Sequence, residues 1–401
     1  MQTWISQRVS TLEPSPTLAV DAKAKAMRWA GEDVIGFGAG EPDFPTPAHI
    51  VEAARQAALD PTTHKYSPSA GLPDLRDAIA EKTSTDLPIT FEASQVMVTN
   101  GAKQAVFNTL ASIVDPGDEV IYATPVWSTY TEVIKLVEGV PVPVRTTQEN
   151  NFHLRAEDIE RVITDHTKAL LIVSPSNPTG AVLDEQELSE IAQLALDKNI
   201  MIITDEIYEH LVYEGNNFTS IIKANPSIAE QTIIINGVSK SFAMTGWRVG
   251  WMVGPQEIIK AATDLQSQTT SNVANIAQRA ALAALQGGTS CVEEMRAVFE
   301  KRREIIYGKL SLMPGVTITA PEGAFYAFPN ISGLIGRKIH GGTLTDTTQL
   351  AQVALETAKV AVVPGEAFEA PGYLRLSYAL SDEMLNEGLD RLHKFFSSAA
   401  G

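Results

Sequence analysis

Several chemically different groups follow the apolar runs in the middle of the chain, each close to the point where a run ends. They are the backbone amides at Gly101 and Ala102, the indole of Trp127, the side-chain amide of Asn177, the carboxylate of Asp205, the phenol of Tyr208, the amine of Lys240 and the guanidinium of Arg248. In an open parallel sheet, ligands bind beyond the carboxyl ends of the strands. The sequence therefore predicts that these groups meet at one edge of a sheet.

This combination of groups matches the needs of a site for pyridoxal phosphate. Such a site has a lysine that binds the aldehyde covalently, a carboxylate at the ring nitrogen and donors to the phenolate oxygen. It also has an aromatic side chain over the ring and backbone amides at a helix N-terminus for the phosphate. Each residue alone has an ordinary structural explanation, such as a helix cap, a turn or a core aromatic. The combination indicates an enzyme that uses this cofactor.

Five apolar runs predict the strands that would position these groups, over residues 95–99, 118–122, 169–173, 201–204 and 232–236. The runs are apolar on successive residues, which is typical of strands covered on both faces in a mostly parallel sheet. A helix is predicted over 184–197, where Asp184 and Glu187 have the spacing of a capping box. Strands that alternate with helices in this way predict an α/β fold.

The domain organisation follows from where this alternation ends. We predict a large domain with a mostly parallel, doubly wound sheet over 46–286 and a smaller α+β domain over 287–401. Residues 1–45 are predicted to be an N-terminal segment that joins the small domain. A long helix is predicted over 291–312, and the glycine-rich stretch 335–342 is predicted to be a surface loop.

Composition and charge exclude several classes of protein. The 401 residues carry 31 basic and 48 acidic side chains, a net charge of −17, which disfavours nucleic acid and anionic membrane surfaces as partners. The single cysteine, Cys291, excludes an internal disulfide framework and is expected to be a buried thiol in a reducing cytoplasm. The N-terminal 30 residues lack the apolar core of a signal peptide, and no apolar run is long enough to span a membrane.

The motifs do not support two other interpretations of the sequence, a dinucleotide-binding enzyme and a metal-binding protein. A dinucleotide-binding oxidoreductase would explain the α/β alternation, but no Gly-x-Gly-x-x-Gly follows a strand and opens a helix. The glycine-rich stretch 36–40 leads into Glu41 and Pro42 instead. The seven histidines are scattered without the spacing of metal ligands, so no metal site is expected.

Five motifs together give the chain a family resemblance. They are GAGEPDF at 38–44, SNPTG at 176–180, DEIY at 205–208, SK at 239–240 with TGWR at 245–248, and RLSY at 375–378. With these motifs in order over nearly the whole chain, the sequence resembles the pyridoxal phosphate-dependent class I aminotransferases of the aspartate aminotransferase family. That resemblance implies a fold type I transferase and a homodimer with active sites at the subunit interface.

The resemblance implies a role for each residue of the cofactor site. Lys240 would bind the cofactor and move the substrate α-proton, with nearby positive charge such as Arg248 lowering its pKa. Asp205 would pair with the ring nitrogen, Tyr208 and Asn177 with the phenolate oxygen, and Trp127 would stack on the ring. The phosphate would be held by Arg248, Ser239, the helix start at Gly101, Ala102 and Lys103, and Tyr66 from the neighbouring subunit. Some branches of the family place the phosphate-binding serine three residues before the lysine, and this chain departs from them with Gly237.

The resemblance also implies the substrate site. Arg375 would clamp the substrate α-carboxylate with two parallel hydrogen bonds, which lysine cannot reproduce. Gly40, Trp127 and Asn177 would line the same site, and Lys103 would bind the distal carboxylate of a dicarboxylic substrate. The expected reaction transfers the amino group of L-aspartate to 2-oxoglutarate in the cytoplasm.

The sequence leaves related activities open. A bifunctional aspartate/prephenate aminotransferase, an aromatic aminotransferase and a pyridoxal phosphate-dependent β-lyase are the nearest alternatives. A transcription regulator that senses the cofactor would carry an additional, usually basic, DNA-binding domain before the fold. The family motifs begin by Gly38 and the net charge is −17, which disfavours that reading.

Overall fold

The computed structural model describes residues 4–14, 16–339 and 342–399. Its helices are α1 Gln7–Ser10, α2 Pro16–Trp29, α3 Ala48–Leu59, α4 Pro73–Asp86, α5 Ala102–Ile113, α6 Thr129–Leu136, α7 Ala156–Glu160, α8 Glu185–Lys198, α9 Ile221–Ala224, α10 Gln256–Thr269, α11 Asn275–Gln286, α12 Ser290–Ser311, α13 Thr347–Val353 and α14 Asp382–Ser398. Its strands are β1 Ile35–Gly36, β2 Val96–Thr99, β3 Glu119–Thr124, β4 Val140–Arg145, β5 Thr167–Val173, β6 Met201–Asp205, β7 Thr232–Gly237, β8 Gly250–Val253, β9 Tyr326–Ala327, β10 Lys338–Ile339, β11 Gly342–Thr343, β12 Val360–Ala361, β13 Val363–Pro364 and β14 Leu374–Ser377.

A seven-stranded sheet forms the centre of the described chain, in the order β2-β8-β7-β6-β5-β3-β4. The pairs from β7 through β6, β5 and β3 to β4 are parallel, and β8 runs antiparallel to both of its neighbours. The carboxyl ends of β3, β5, β6 and β7 therefore lie at one edge. This arrangement confirms the predicted α/β fold with a mostly parallel sheet.

The sheet is covered on both faces, as its apolar runs predict. Leu170 and Ile202 pack into the hydrophobic cluster on one face, whereas their chain neighbours Leu171 and Ile203 pack into the cluster on the other face. Successive side chains of a strand point to opposite faces. A strand with both faces buried must therefore be apolar at every position.

The predicted strand and helix ends agree with the structure to within a few residues, but two strands of the sheet were not predicted. Strand β4 has the sequence VPVPVR and lies at the edge of the sheet, where proline is tolerated because a missing N–H faces outward. Strand β8 has four residues and starts at Gly250. The capping box at the start of α8 is present, since Glu187 N–H donates to Asp184 Oδ1 at 2.8 Å.

Beyond α12, short strands pack on helices around a separate core. Strands β13, β14 and β9 form an antiparallel sheet, and β1 pairs in parallel with β12 through Ile35–Val360 and Gly36–Ala361. Phe37, Leu376 and Leu389 belong to one hydrophobic cluster. The N-terminal segment and the C-terminal part of the chain thus share a core.

Two smaller predictions need correction. The surface loop predicted over 335–342 is wrong in part, because Ile339 is buried and β10 pairs with β11. Residues 340 and 341 lie outside the described residues. Cys291 is half-buried against the large-domain core and not enclosed in it.

None of the described helices is both long and apolar enough to cross a membrane.

Candidate active site

A cavity of about 450 Å³ opens beyond the carboxyl ends of the parallel strands. It is lined from both sides, by residues that follow β5, β6 and β7 and by residues of β9 and β14. Most of the residues predicted from the sequence line it: Gly40, Ala102, Lys103, Trp127, Asn177, Asp205, Tyr208, Ser239, Lys240, Arg248 and Arg375. The fold therefore brings together residues separated by more than 300 positions in the chain.

Two predicted residues are not among those that line the cavity. Gly101 precedes α5 and lies against Arg248, which does line the cavity. Tyr66 is 94% exposed and lies on the surface of the subunit.

Lys240 follows β7 and extends its amine into the cavity. Its Nζ donates a hydrogen bond to the Gly40 carbonyl at 2.5 Å and lies 5.9 Å from the ring centres of Tyr208 and Phe325. The pKa of Lys240 is lowered to about 8, chiefly by burial, because a desolvated ammonium is disfavoured. Arg375 and Arg248 contribute to this net shift, and the carboxylate of Glu41 opposes it more strongly than either arginine reinforces it. The predicted effect of positive charge is therefore present but secondary to burial.

Asp205 is the last residue of β6 and is buried in the wall of the cavity. The Tyr130 hydroxyl donates to Asp205 Oδ2 at 2.8 Å, and the Ile207 backbone N–H donates to Oδ1 at 3.1 Å. Burial raises the pKa of Asp205 to about 6, although both hydrogen bonds favour the ionised form. A buried carboxylate of this kind is stabilised when a positively charged group binds against it.

Arg248 lines the cavity and lies against Gly101 at the start of α5. Arg248 donates through Nη1 to the Thr245 carbonyl at 3.0 Å and through Nη2 to the Asn100 carbonyl at 3.1 Å. A Cβ at Gly101 would lie 2.4 Å from Arg248 Nη2, and Gly101 has a φ of +82°. Glycine thus lets the guanidinium pass close to the helix start, where free N–H groups and the helix dipole favour an anion. Ser239 is 7% exposed and lines the same cavity.

Arg375 lies in the middle of β14 and is 2% exposed. Its Nη1 donates to Asn177 Oδ1 at 3.1 Å and its Nη2 donates to the Gly38 carbonyl at 2.8 Å. Its Nε is buried without a hydrogen-bond partner among the described residues. Burial lowers the pKa of this guanidinium. A buried cation that keeps an unused donor is ready to bind an incoming carboxylate.

Lys103 and Trp127 form a pair at another wall of the cavity. The Lys103 Nζ lies 4.7 Å from the centre of the Trp127 ring, within the range of a cation–π contact. Trp127 in turn packs edge-to-face on Tyr130, with 5.4 Å between the ring centres. Burial lowers the pKa of Lys103, and Arg248 contributes to that shift. The side chain of Lys103 lines the cavity but remains exposed to solvent.

Sequence reasoning missed several residues that surround the cavity. Tyr130, on α6, and Tyr326, on β9, carried no motif that would have identified them. The helix α2 contributes Thr17, Asp21 and Lys25 to the lining, and Asp21 and Lys25 form an ion pair at 2.7 Å. The i,i+4 spacing of that pair is visible in the sequence, but nothing local indicates that this helix reaches the cavity.

The comparison with known proteins identifies the class to which this fold and cavity belong. Residues 32–392 match the family model for aminotransferases of class I and II, and the chain belongs to that family. The resemblance found in the motifs is thereby confirmed.

Individual relatives extend this finding over the full length of the chain. An aspartate aminotransferase of Streptomyces avermitilis is 53% identical, over 98% of this chain and 97% of its own length. A probable aspartate/prephenate aminotransferase of Aquifex aeolicus is 47% identical, over 98% and 99% of the two chains. The crystal structure of the aspartate aminotransferase of Rhizobium meliloti superimposes with a TM-score of 0.95 at 37% identity, over 99% of this chain and 100% of that one.

Proposed function

We propose that this aminotransferase uses pyridoxal phosphate to transfer the amino group of L-aspartate to 2-oxoglutarate, which gives oxaloacetate and L-glutamate. The observation that carries the proposal is the convergence of Lys240, Asp205, Arg248 and Arg375 on one cavity. Relatives of 46–53% identity that bear the name aspartate aminotransferase support the substrate.

Three independent features of the cavity match the chemical groups of the cofactor. The space in front of Gly101 is kept open for the Arg248 guanidinium beside a helix start, as a phosphate requires. Asp205 offers a buried carboxylate to a protonated ring nitrogen. Lys240 offers an amine whose pKa is lowered to about 8. When bound, pyridoxal phosphate withdraws electrons from the Cα atom of an amino acid attached to it.

Asp205 and Tyr130 would set the charge at the cofactor end of the cavity. The cofactor's protonated ring nitrogen would supply the positive charge that the buried Asp205 carboxylate lacks, so that Asp205 stays ionised when the cofactor is bound. The Tyr130 hydroxyl fixes the orientation of that carboxylate. Tyr208 and Asn177 would donate to the phenolate oxygen, and Trp127 would cover the ring.

Lys240 would move the substrate proton. An amine with a pKa near 8 is partly unprotonated at neutral pH, so its nitrogen can accept the proton from Cα and return it. Because Lys240 is held among Gly40, Tyr208 and Phe325, the nitrogen starts from a fixed position. Such positioning contributes to the rate by keeping donor and acceptor close together.

Arg375 and Lys103 would select the substrate. The guanidinium of Arg375 would bind the α-carboxylate, and Gly40 lines the same cavity. The ammonium of Lys103, which lines the same cavity, would bind a second carboxylate by charge attraction. Together the two cations favour a dicarboxylic amino acid over an aromatic one.

We also propose that the active enzyme is a cytoplasmic homodimer. The dimer is supported by Tyr66, which is 94% exposed and therefore accessible to a second copy of the chain. In that dimer Tyr66 would reach the phosphate site of the neighbouring subunit, as the family resemblance implies. The division into residues 1–45, 46–286 and 287–401 remains part of the proposal, supported by the separate cores and by the pairing of β1 with β12.

A bifunctional aspartate/prephenate aminotransferase is the second candidate. It is favoured by the Aquifex aeolicus relative, which is 47% identical over almost its whole length. Prephenate also carries two carboxylates, so Arg375 and Lys103 would be able to bind it by the same charges.

An absorption spectrum of the purified protein tests both candidates in one titration. We expect a cofactor band in the near-ultraviolet to visible range that changes to that of the aminated cofactor when L-aspartate is added. Return of the original band with 2-oxoglutarate but not with prephenate would support the monofunctional enzyme, and return with both would support the bifunctional one. Absence of any cofactor band after addition of pyridoxal phosphate would contradict the proposal as a whole.

A further inference from the structure

Tyr326 connects the two ends of the cavity. It is the first residue of β9, is 1% exposed and lines the cavity together with Tyr208 and Arg375. The hydroxyl groups of Tyr326 and Tyr208 are hydrogen-bonded at 2.9 Å. The Tyr326 ring centre lies 4.5 Å from the Arg375 guanidinium carbon. One side chain thus contacts both the phenol expected at the cofactor and the cation expected at the substrate.

The ring of Tyr326 packs against the guanidinium of Arg375. Arg375 also lies 5.0 Å from the ring centre of Phe368, so two aromatic rings contact its guanidinium. Asn177 and Gly38 accept the hydrogen bonds of its terminal nitrogens. Stacking on aromatic rings restricts a guanidinium without using its N–H donors. The unused Nε donor therefore stays available for a carboxylate.

The hydroxyl group of Tyr326 contacts Tyr208 and not Arg375. If Tyr208 donates its proton to the cofactor phenolate, its oxygen is free to accept a hydrogen bond, and Tyr326 must then be the donor of the pair. A phenol that accepts a hydrogen bond is a stronger donor itself. The charged and titratable groups around this pair are Arg375, Tyr130, Lys240 and Asp205.

We infer that Tyr326 is a positioning residue with two separable effects, in which its hydroxyl group strengthens the hydrogen bond donated by Tyr208 and its ring orients Arg375. The inference rests on the proposed function, since it assigns the two contacts to cofactor and substrate. It predicts that removing the hydroxyl changes the cofactor environment alone, whereas removing the ring also weakens binding of carboxylates.

The experiment compares Tyr326→Phe and Tyr326→Leu in the enzyme loaded with pyridoxal phosphate. The first measurement is the pH midpoint of the cofactor absorbance, and the second is the dissociation constant of maleate, a dicarboxylate that is not transaminated, by calorimetry. Tyr326→Phe should raise the pH midpoint by about 0.5 to 1 unit, because one hydrogen bond to the Tyr208 oxygen is lost. It should change the dissociation constant of maleate by less than about twofold. Tyr326→Leu should in addition weaken maleate about tenfold.

Tyr213→Phe is the matched control. Tyr213 is 1% exposed and belongs to the same hydrophobic cluster, but its hydroxyl donates to the backbone carbonyl of Ala324 and does not line the cavity. It should alter neither the pH midpoint nor maleate binding, even if it lowers the melting temperature. A second control is Tyr208→Phe, in which adding Tyr326→Phe should produce no further shift of the midpoint.

The outcomes separate this inference from the proposed function. If wild type binds the cofactor and transaminates aspartate, but Tyr326→Phe and Tyr326→Leu both keep its midpoint and maleate affinity, the role of Tyr326 is refuted. Equal weakening of maleate by both variants would refute the division between hydroxyl and ring. If the wild-type protein itself binds no cofactor, the proposed function fails, and the inference fails with it.

Discussion

Replacement of Gly101 by alanine gives the sharpest test of the phosphate site. The residue has φ +82° and ψ 163°, a region of backbone space that is almost restricted to glycine. An added Cβ would also lie 2.4 Å from Arg248 Nη2, 2.8 Å from its Cζ and 2.9 Å from its Nη1. Alanine would therefore strain the backbone and displace the guanidinium from the start of α5.

The two effects have different magnitudes and different measurements. Backbone strain of this kind costs about 1 to 3 kcal/mol, which should appear as a lower free energy of unfolding of the apoenzyme. Loss of a charge-assisted hydrogen bond to the phosphate should weaken the binding of pyridoxal phosphate about 10- to 100-fold. Titration of the apoenzyme with the cofactor, followed by absorbance, measures the second effect separately from the first.

Gly117→Ala provides the matched control. Gly117 also has a positive φ, +94°, but a Cβ there would meet nothing within 4 Å. Its replacement should destabilise the protein by about 1 to 2 kcal/mol and leave cofactor binding unchanged. If Gly101→Ala binds pyridoxal phosphate as tightly as Gly117→Ala does, the reasoning that places the phosphate between Gly101 and Arg248 is refuted.

Three further predictions concern the amine, the specificity and the pH dependence. Lys240→Ala should reduce transamination of aspartate by at least about a thousandfold, since no other base is held in its place; a steady-state assay at the wild-type rate would remove Lys240 from the mechanism. Lys103→Ser should lower kcat/KM for aspartate more than for phenylalanine, and equal losses would exclude Lys103 as the specificity residue. Burial raises the pKa of Glu206 from 4.5 to about 8. Between these two pH values the carboxyl group is protonated in the folded protein and ionised in the unfolded chain. The free energy of unfolding therefore falls as the pH rises from 4.5 to about 8. Denaturant titrations measure the difference in free energy of unfolding between Glu206→Gln and wild type. We expect this difference to shift in favour of Glu206→Gln by at least about 1 kcal/mol between pH 5 and pH 8. A difference that stays constant with pH would contradict the raised pKa of Glu206.

The parts of the fold that the sequence predicts are those with a strong local signal. Strand β6 is apolar at every position up to its last two residues, and Asp205 stands out at its end because a charge rarely follows such a run. The parallel sheet then places Asp205 beside Lys240 by topology alone. Strand β4 alternates valine and proline, and proline normally disfavours a strand because it lacks an N–H donor. The strand forms because it lies at the edge of the sheet, where that donor is not needed.

The parts of the site that the sequence does not predict depend on contacts between distant segments. Tyr130 reaches Asp205 across 75 positions, and Tyr208 reaches Tyr326 across 118. A buried tyrosine is an ordinary core residue until its hydroxyl partner is known. The placement of α2 at the cavity likewise follows from the docking of the N-terminal segment, which no local pattern encodes.

The pairing of β1 with β12 has a consequence for the synthesis of the protein. Ile35 leaves the ribosome long before its partner Val360 does. The large sheet is complete once Val253 has been made, so it is able to fold early, as domains generally do during synthesis. The cavity, however, is closed by α2 and by Arg375 of β14. The nascent chain must therefore hold the segment around Ile35 unpaired until Val360 has emerged, and the cavity is completed long after the large sheet is able to fold.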